Sequence, residues 1–360
     1  DLHLSIRRQR QMCIRDRFGM TTKFVEVTMG HKYRTKLEDG SISGGPMYYL
    51  SSGLSKIGYV GLGKILAVFF AVAAVFGSFG GGNMFQANQS YELFGKLIGI
   101  PNYLYGILLA ILVGIVIIGG IKRIAAVTSR LVPSMAIIYI VAALVILIVN
   151  IDQIPLAVKS IFVGAFSPEG VTGGFLGVLI LGFRRAVFSN EAGIGSAPIA
   201  HSAVKTSEPA TEGIVSLLEP FIDTVVICTI TALVIITTGV FSSGAGIEGA
   251  RMTSQAFGSV LPWFPYILAV VAILFAFSTA ISWSYYGVKA VTFIFGEKKS
   301  IELLYKLIFC SFAIVGASLD LTKVIDLSDS SLFLMAIPNL IGVYILANIC
   351  LLYTSPSPRD

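Results

Sequence analysis

Apolar residues occur along this 360-residue chain in long runs that are separated by short polar segments. A helix needs about 20 apolar residues to cross the hydrocarbon core of a bilayer, and most of the runs approach that length. They predict eight helices, at residues 61–95, 103–121, 131–150, 173–204, 212–239, 263–295, 301–319 and 331–349. Residues 18–29 resemble the end of a further helix. The pattern predicts an all-α polytopic membrane protein.

Lys and Arg residues divide unevenly between the two alternating sets of predicted loops. Ten lie in the loops at 30–60, 122–130, 205–211 and 296–300, and four lie in the other set. Positive residues favour cytoplasmic loops, so the first set is expected to face inward. Residues 242–262, which are polar and Gly-rich at first, predict a partly folded external loop.

Composition supports the membrane class, because charged residues make up 13% of the chain, about half the share usual in soluble domains. Residues 1–17 and 350–360 break the apolar pattern and resemble translated sequencing adapter. We therefore expect the native membrane domain to span residues 18–349. There, 20 Lys and Arg against 17 Asp and Glu leave a net charge of +3, which indicates no nucleic-acid partner. Its two cysteines, Cys228 and Cys310, lie in apolar runs and predict neither a disulfide framework nor a metal cluster.

The stretch Gly77–Asn88 places glycines and three amides inside an otherwise apolar helix. Glycines allow a neighbouring helix or a ligand to approach the backbone closely. Asn83 and Gln86 share a helix face because they are three residues apart. They either form hydrogen bonds between helices or contact a substrate or ion directly.

Residues 188–201 combine Ser189, Asn190, Gly193, Gly195 and a proline within one membrane-length segment. A broken helix uses this composition, whereas a continuous helix gains nothing from it. A break at 188–198 frees backbone carbonyls for a cation and N–H groups for a substrate carboxylate. A re-entrant loop and a simple kink are the alternatives.

Glu191 is a carboxylate inside the membrane, which makes it a candidate for ion or proton transfer. Its alternative role is structural pairing, either with Arg184 or Arg185 or with another helix. His201 is expected near the cytoplasmic interface, and Asp223 in a packing or helix-dipole role.

Residues 275–287 carry the hydroxyls of Ser278, Thr279 and Ser282 near the middle of a predicted helix. Hydroxyls and free carbonyls are the oxygen ligands that hard cations prefer. The same hydroxyls can instead bond within their own helix. Trp283 is deeper than an interfacial aromatic residue and either lines a pocket or packs in the core.

Several motifs together resemble the alanine or glycine:cation symporter family. They span the predicted membrane domain in order: SGGPMYYL (43–50), GGGNMFQAN (80–88), GGIKRIA (119–125), FSNEAGIGSAPIAHSA (188–203), FIDT (221–224), FSTAISWSYYG (277–287) and MAIPNL (335–340).

The resemblance implies a leucine-transporter-type fold of two inverted five-helix repeats, which takes up small neutral amino acids with sodium. It implies cation ligation by the Ala276 carbonyl and Thr279, with Ser278 or Ser282. Phe188, Asn83, Gln86 and Trp283 would shape a small pocket, together with Ser189, Asn190, Gly193 and Gly195 at the break.

Two departures accompany the resemblance. Leu181 stands where many members carry Gln. The first core helix is expected to be missing, so we expect this polypeptide alone not to transport.

The leading hypothesis is a monomeric sodium-coupled symporter of alanine or glycine in the lipid bilayer of the plasma membrane, such as a bacterial inner membrane, without a cofactor. Proton coupling through Glu191 is the alternative. The sequence shows neither the repeated filter segments of a channel nor the constellation of an enzyme.

Overall fold

A computed structural model describes residues 19–37, 40–166, 175–243 and 249–354. The helices in these ranges are α1 (19–32), α2 (46–56), α3 (Val60–Gly95), α4 (Asn102–Ile117), α5 (Gly120–Val149), α6 (Ile154–Phe166), α7 (Phe175–Asn190), α8 (Ala197–His201), α9 (Pro209–Thr237), α10 (Ala250–Val260), α11 (Phe264–Phe295), α12 (Lys299–Ser318) and α13 (Leu321–Thr354).

Six helices in the described ranges are long and apolar enough to cross a membrane: α3, α5, α9, α11, α12 and α13. Helix α4 is apolar but has only 16 residues. Large apolar side chains such as Ile65 of α3, Ile111 of α4 and Ile148 of α5 are exposed. Water would disfavour so much exposed apolar surface, whereas lipid would not. The helices therefore confirm the predicted multi-pass membrane class.

Several predicted helix boundaries were wrong. Helix α5 begins at Gly120, so the predicted loop 122–130 is the first part of this helix. No residue between Lys122 and Arg130 breaks a helix, and Gly120 with φ +68° provides the turn from α4. Helix α13 likewise begins at Leu321, ten residues before its predicted start. Polar residues near helix ends produced both errors, because they resemble loop composition.

The predicted inward segment 30–60 also contains regular structure. Helix α1 continues to residue 32, and α2 fills residues 46–56 after a turn at Gly45. Between them, Thr35–Lys36 pairs antiparallel with Ile42–Ser43. This two-stranded ribbon is a small addition to the all-α prediction.

The main hydrophobic core lies where α3 packs against α11 and α13, and where α12 packs against α3 and α4. A second cluster joins α5, α9 and α10 to the start of α11. In it, the ring of Phe257 on α10 stacks on that of Phe264, with centroids 4.9 Å apart. Helix α10 lies in the predicted external loop, which is therefore partly folded; residues 244–248 lie outside the described ranges.

Candidate functional site

A helix interruption between α7 and α8 is the most irregular part of the described core. Helix α7 ends at Asn190 and α8 begins at Ala197, so residues 191–196, here called the break, lie within the predicted range 188–198. Gly193 and Gly195 have φ of +86° and +82°, values that glycine adopts without a steric penalty. Glu191 has φ +57°, which is unusual for a residue with a side chain.

Polar side chains from two other helices bind the backbone of the break. The Gly193 N–H donates to Glu26 Oε1 of α1 at 3.4 Å. Asn339 of α13 donates from Nδ2 to the Gly193 carbonyl at 2.9 Å and to Glu26 Oε2 at 2.8 Å. The Tyr49 hydroxyl donates to Asn339 Oδ1 and thereby fixes the orientation of this amide. These bonds satisfy backbone groups that the helix interruption releases.

Lys23 of α1 binds the last residue of α7. Its ammonium donates to the Asn190 carbonyl at 3.1 Å and forms an ion pair with Glu219 Oε2 of α9 at 3.0 Å. Lys23 is 2% exposed. Helix α1 thus supplies an ammonium to the last carbonyl of α7, from Lys23, and a carboxylate to an N–H of the break, from Glu26.

Glu191 accepts two hydrogen bonds from within the site. Trp283 Nε1 of α11 donates to its Oε1 at 3.0 Å, and the Ser196 hydroxyl donates to Oε2. Of the structural alternatives that the sequence left open, pairing with another helix is observed, through Trp283 of α11, and pairing with the two arginines is not. Arg184 and Arg185 instead bind Asp329 Oδ2 of α13, at 2.8 and 2.6 Å.

Phe188 lies one turn before the break and packs in an aromatic contact. Its ring meets that of Phe85 on α3 edge to face, with centroids 4.8 Å apart. The Arg185 guanidinium lies over the Phe188 ring, 5.8 Å from its centroid. Phe188 therefore links the break to α3.

A cavity of about 190 Å³ adjoins the break. Ser189, Asn190 and Glu191 line it, together with Lys23, Glu219, Asp223 and Tyr286. The Ser189 hydroxyl donates to Asp223 Oδ2, and Asn190 Nδ2 donates to the Thr224 hydroxyl at 3.2 Å. Three of the predicted site residues are thus brought together at one cavity.

His201 borders the same cavity, at the end of α8. Its Nδ1 faces Glu212 Oε1 and its Nε2 faces Glu219 Oε1 at 2.7 Å. Both ring nitrogens can donate only in the protonated imidazole, and two carboxylates favour that form. His201 therefore ties α8 to α9.

Gln86 and Ala276 line a second cavity, of about 240 Å³, between α3, α5, α10 and α11. Asn83 does not join them, because its Nδ2 donates to the Phe309 carbonyl of α12. Trp283 is buried between α3 and the break. The predicted pocket residues are therefore distributed over two cavities and the helix interfaces between them.

The hydroxyls predicted as cation ligands lie on a continuous helix. Ser278 donates to the Phe275 carbonyl and Ser282 to the Ser278 carbonyl, both at 2.9 Å. These are the bonds within the helix that the sequence left as an alternative, although the hydroxyl oxygens keep lone pairs that can accept a cation. Thr279 is half-buried.

Four residues at or near the break were missed from the sequence: Lys23, Glu26, Asp329 and Asn339. Lys23 and Glu26 are ionisable residues one turn apart in an apolar segment, and that signal alone marks candidates for a functional role in a membrane. Asn339 lies in the MAIPNL motif, where a buried amide needs partners. The side chain of Leu181 lies outside the described residues.

Comparisons with known proteins agree with this architecture. The sodium:alanine symporter family matches residues 12–355. The chain belongs to this family. The sodium/alanine symporter AgcS of Methanococcus maripaludis is 42% identical over 335 residues, which are 92% of this chain and 73% of that relative. Membership makes the protein a membrane transporter and not an enzyme.

Other relatives carry different names. The amino-acid carrier protein AlsT of Bacillus subtilis is 36% identical over 337 residues, 92% of this chain and 69% of the relative. The probable sodium/glutamine symporter GlnT of the same organism is 34% identical over 335 residues, 92% of this chain and 68% of the relative. The names of these relatives thus include both alanine and glutamine.

Proposed function

We propose that this protein carries alanine or glycine into the cell by sodium-coupled symport, as a monomer in the plasma membrane. One observation carries the proposal: the break between α7 and α8 lies beside a cavity, inside a family of sodium:alanine symporters. Backbone groups at an interrupted helix can bind the charged ends of an amino acid within the membrane. The name of the AgcS relative supports alanine and sodium.

The side chains around the break favour a small substrate. Phe188 is held against Phe85, and Trp283 is held by Glu191, so two large rings limit the space next to the backbone. In the proposed complex, Ser189 and Asn190 meet the charged ends of the amino acid from the cavity, and the backbone at Gly193 and Gly195 does so once the bonds of Gly193 to Glu26 and Asn339 open. Gln86 is proposed to contact the substrate from α3 through the second cavity, whereas Asn83, which binds α12, is proposed to act through the packing of α3.

Sodium is proposed to bind at α11. The Ala276 carbonyl and the hydroxyl of Thr279 are the proposed ligands, with Ser278 or Ser282. Their uncharged oxygens suit a hard monovalent cation that must be released again on the other side. The coupling ion then raises the affinity for substrate, and the break provides the point at which α7 and α8 can move separately during alternating access.

The proposal can be tested by uptake of labelled alanine into proteoliposomes that contain the full-length transporter. We expect an inward sodium gradient to drive uptake, and a potassium gradient of equal ionic strength to fail. Excess unlabelled glycine should compete, whereas leucine should compete poorly because of the two rings. Uptake that persists unchanged without sodium would contradict the sodium proposal.

A hydroxyl comparison sharpens this test. Thr279→Val removes one proposed ligand, and we expect the sodium concentration for half-maximal uptake to rise by about tenfold, which corresponds to one lost ligand contact. Ser311→Ala is the matched control, since Ser311 on α12 is exposed and its hydroxyl donates to the Ile308 carbonyl. An equal response of both variants would exclude a specific role for Thr279.

Proton coupling through Glu191 is a second candidate function, favoured by the position of this carboxylate at the break. Both of its oxygens accept hydrogen bonds, from Trp283 and Ser196. Glu191→Gln preserves the shape but cannot exchange a proton. Uptake driven by a pH gradient should then disappear; if it survives in this variant, Glu191 is not the proton carrier.

A further inference from the structure

A buried ammonium at a helix interruption requires an explanation, because burying an unpaired charge is costly. Lys23 lies at such a point and is almost completely buried. Its Nζ is 3.1 Å from the carbonyl of Asn190, the last residue of α7, and 3.0 Å from Glu219 Oε2. The ammonium therefore binds one backbone oxygen and one carboxylate.

The carbonyl end of a helix is where cations bind favourably. The last carbonyls of a helix have no partner within it, and the aligned peptide dipoles give that end a partial negative charge. In this chain that end borders the 190 Å³ cavity, where Lys23 is buried and Glu219 is exposed. At the end of α7 the position next to the carbonyl is filled by the Lys23 ammonium.

Glu219 connects this position to the other half of the interrupted helix. Its Oε2 binds Lys23, and its Oε1 binds His201 of α8. One carboxylate of α9 thus binds both the Lys23 ammonium, which lies at the end of α7, and the imidazole of α8. Glu26, one turn after Lys23 on α1, accepts from the Gly193 N–H within the same break.

We propose that Lys23 is a positioning residue whose ammonium serves as a tethered cation of the break. It neutralises the carbonyl end of α7 and holds it, through Glu219, next to α8. This cation is part of the chain, so it does not load or unload with the sodium gradient. The inference rests on the proposed symport and adds a permanent cation to the transported one.

The consequence can be measured because a missing cation can be supplied from solution. Lys23→Ala removes three methylene groups and the ammonium, which together have the shape of n-propylammonium. Lys23 lines the 190 Å³ cavity, which gives a small amine a place to bind. We expect Lys23→Ala to lower sodium-driven alanine uptake by at least about tenfold, as expected for loss of a buried charged partner.

Addition of n-propylammonium should restore part of the uptake, whereas 1-propanol, which has a similar size but no charge, should not. The melting temperature of purified Lys23→Ala protein should also rise with n-propylammonium, since a ligand that binds the folded state stabilises it. Lys306→Ala is the matched control: Lys306 is also buried and ion-paired, to Glu302 of its own helix. Its uptake should respond to neither compound.

The two proposals fail in different ways. If wild-type vesicles show no sodium-stimulated uptake, the proposed function fails, and the amine-dependent melting temperature of Lys23→Ala still tests the tethered cation. Normal uptake by Lys23→Ala would overturn the inference. A loss of uptake would also overturn it if neither the uptake nor the melting temperature of this variant responded more to n-propylammonium than to 1-propanol.

A second pair of variants keeps the test decisive if Lys23→Ala does not fold. Lys23→Arg keeps the charge, and Lys23→Met keeps the approximate length without it. We expect higher uptake from Lys23→Arg. The opposite order would show that shape and not charge matters at this position.

Discussion

Two glycine-rich segments lie in the centre of the described structure, and only one of them leaves the helix. Gly80–Met84 forms a widened turn inside α3, with Gly80 at φ −72°. Glu191–Ser196 separates α7 from α8, and Gly193 and Gly195 both have positive φ. Glycine content alone therefore does not predict where a membrane helix breaks.

The difference follows from what surrounds each glycine. In α3 the glycines provide space: a Cβ on Gly82 would lie 2.4 Å from Trp283 Cβ, and one on Gly80 would lie 3.1 Å from Ser328 Cα. At the break the glycines adopt positive φ angles that other residues disfavour. Glu26 and Asn339 bind the backbone groups of Gly193 that the helix interruption leaves without a helical partner. The first segment permits close helix packing, and the second builds a site.

The largest effect is expected from Gly195→Ala, because this glycine is required for both reasons. A side chain at φ +82° costs about 1–2 kcal/mol. The new Cβ would lie 2.5 Å from Pro46 Cγ and 3.0 Å from Asn339 Cγ, and such overpacking costs about 1–3 kcal/mol more. We expect a clear fall in melting temperature and loss of alanine uptake.

Gly193→Ala is the control for that variant. Its φ is also positive, but the nearest atom to the new Cβ is Leu340 Cδ2 at 3.2 Å, the end of a flexible side chain. Its stability should fall by less. An equal loss in both variants would show that backbone conformation, and not the contact with Pro46, determines the effect.

An intermediate effect, on selectivity more than on stability, is expected from Gly82→Ala. Alanine favours a helix over glycine by up to about 1 kcal/mol, which partly offsets the overlap with Trp283. The indole must move, and its bond to Glu191 weakens. We expect uptake of alanine to fall more than uptake of glycine, because the pocket narrows. An unchanged ratio of the two uptake rates would show that Gly82 does not contribute to the selection of substrate by size.

The smallest effect is expected from Gly81→Ala, next in sequence to Gly82. The nearest atom to its new Cβ is Leu332 Cδ1 at 3.5 Å, an ordinary contact. Helix propensity should raise the melting temperature slightly, with alanine uptake unchanged. A strong loss of uptake here would mean that the whole widened turn, and not the contact of Gly82 with Trp283, is needed for transport.

The sequence predicted the general architecture well and the partners poorly. The spacing of Gly193, Gly195 and Pro198 was enough to predict an interrupted helix. The same reasoning shortened α5 and α13, because polar residues at a helix end resemble a loop. It also placed Asn83 and Gln86 on one face, yet their side chains bind different elements, the Phe309 carbonyl of α12 and the Gly81 carbonyl of α3.

The sequence by itself determined the membrane class, the family and the position of the break. Each of these depends on local properties, namely the length of an apolar run, a set of contiguous motifs and the torsion angles open to glycine. Only the tertiary structure decided which groups meet at the break. Lys23 and Asn190 are 167 positions apart, and Glu26 and Asn339 are 313 apart. Such pairs form because buried polar groups must find partners among whichever helices pack beside them.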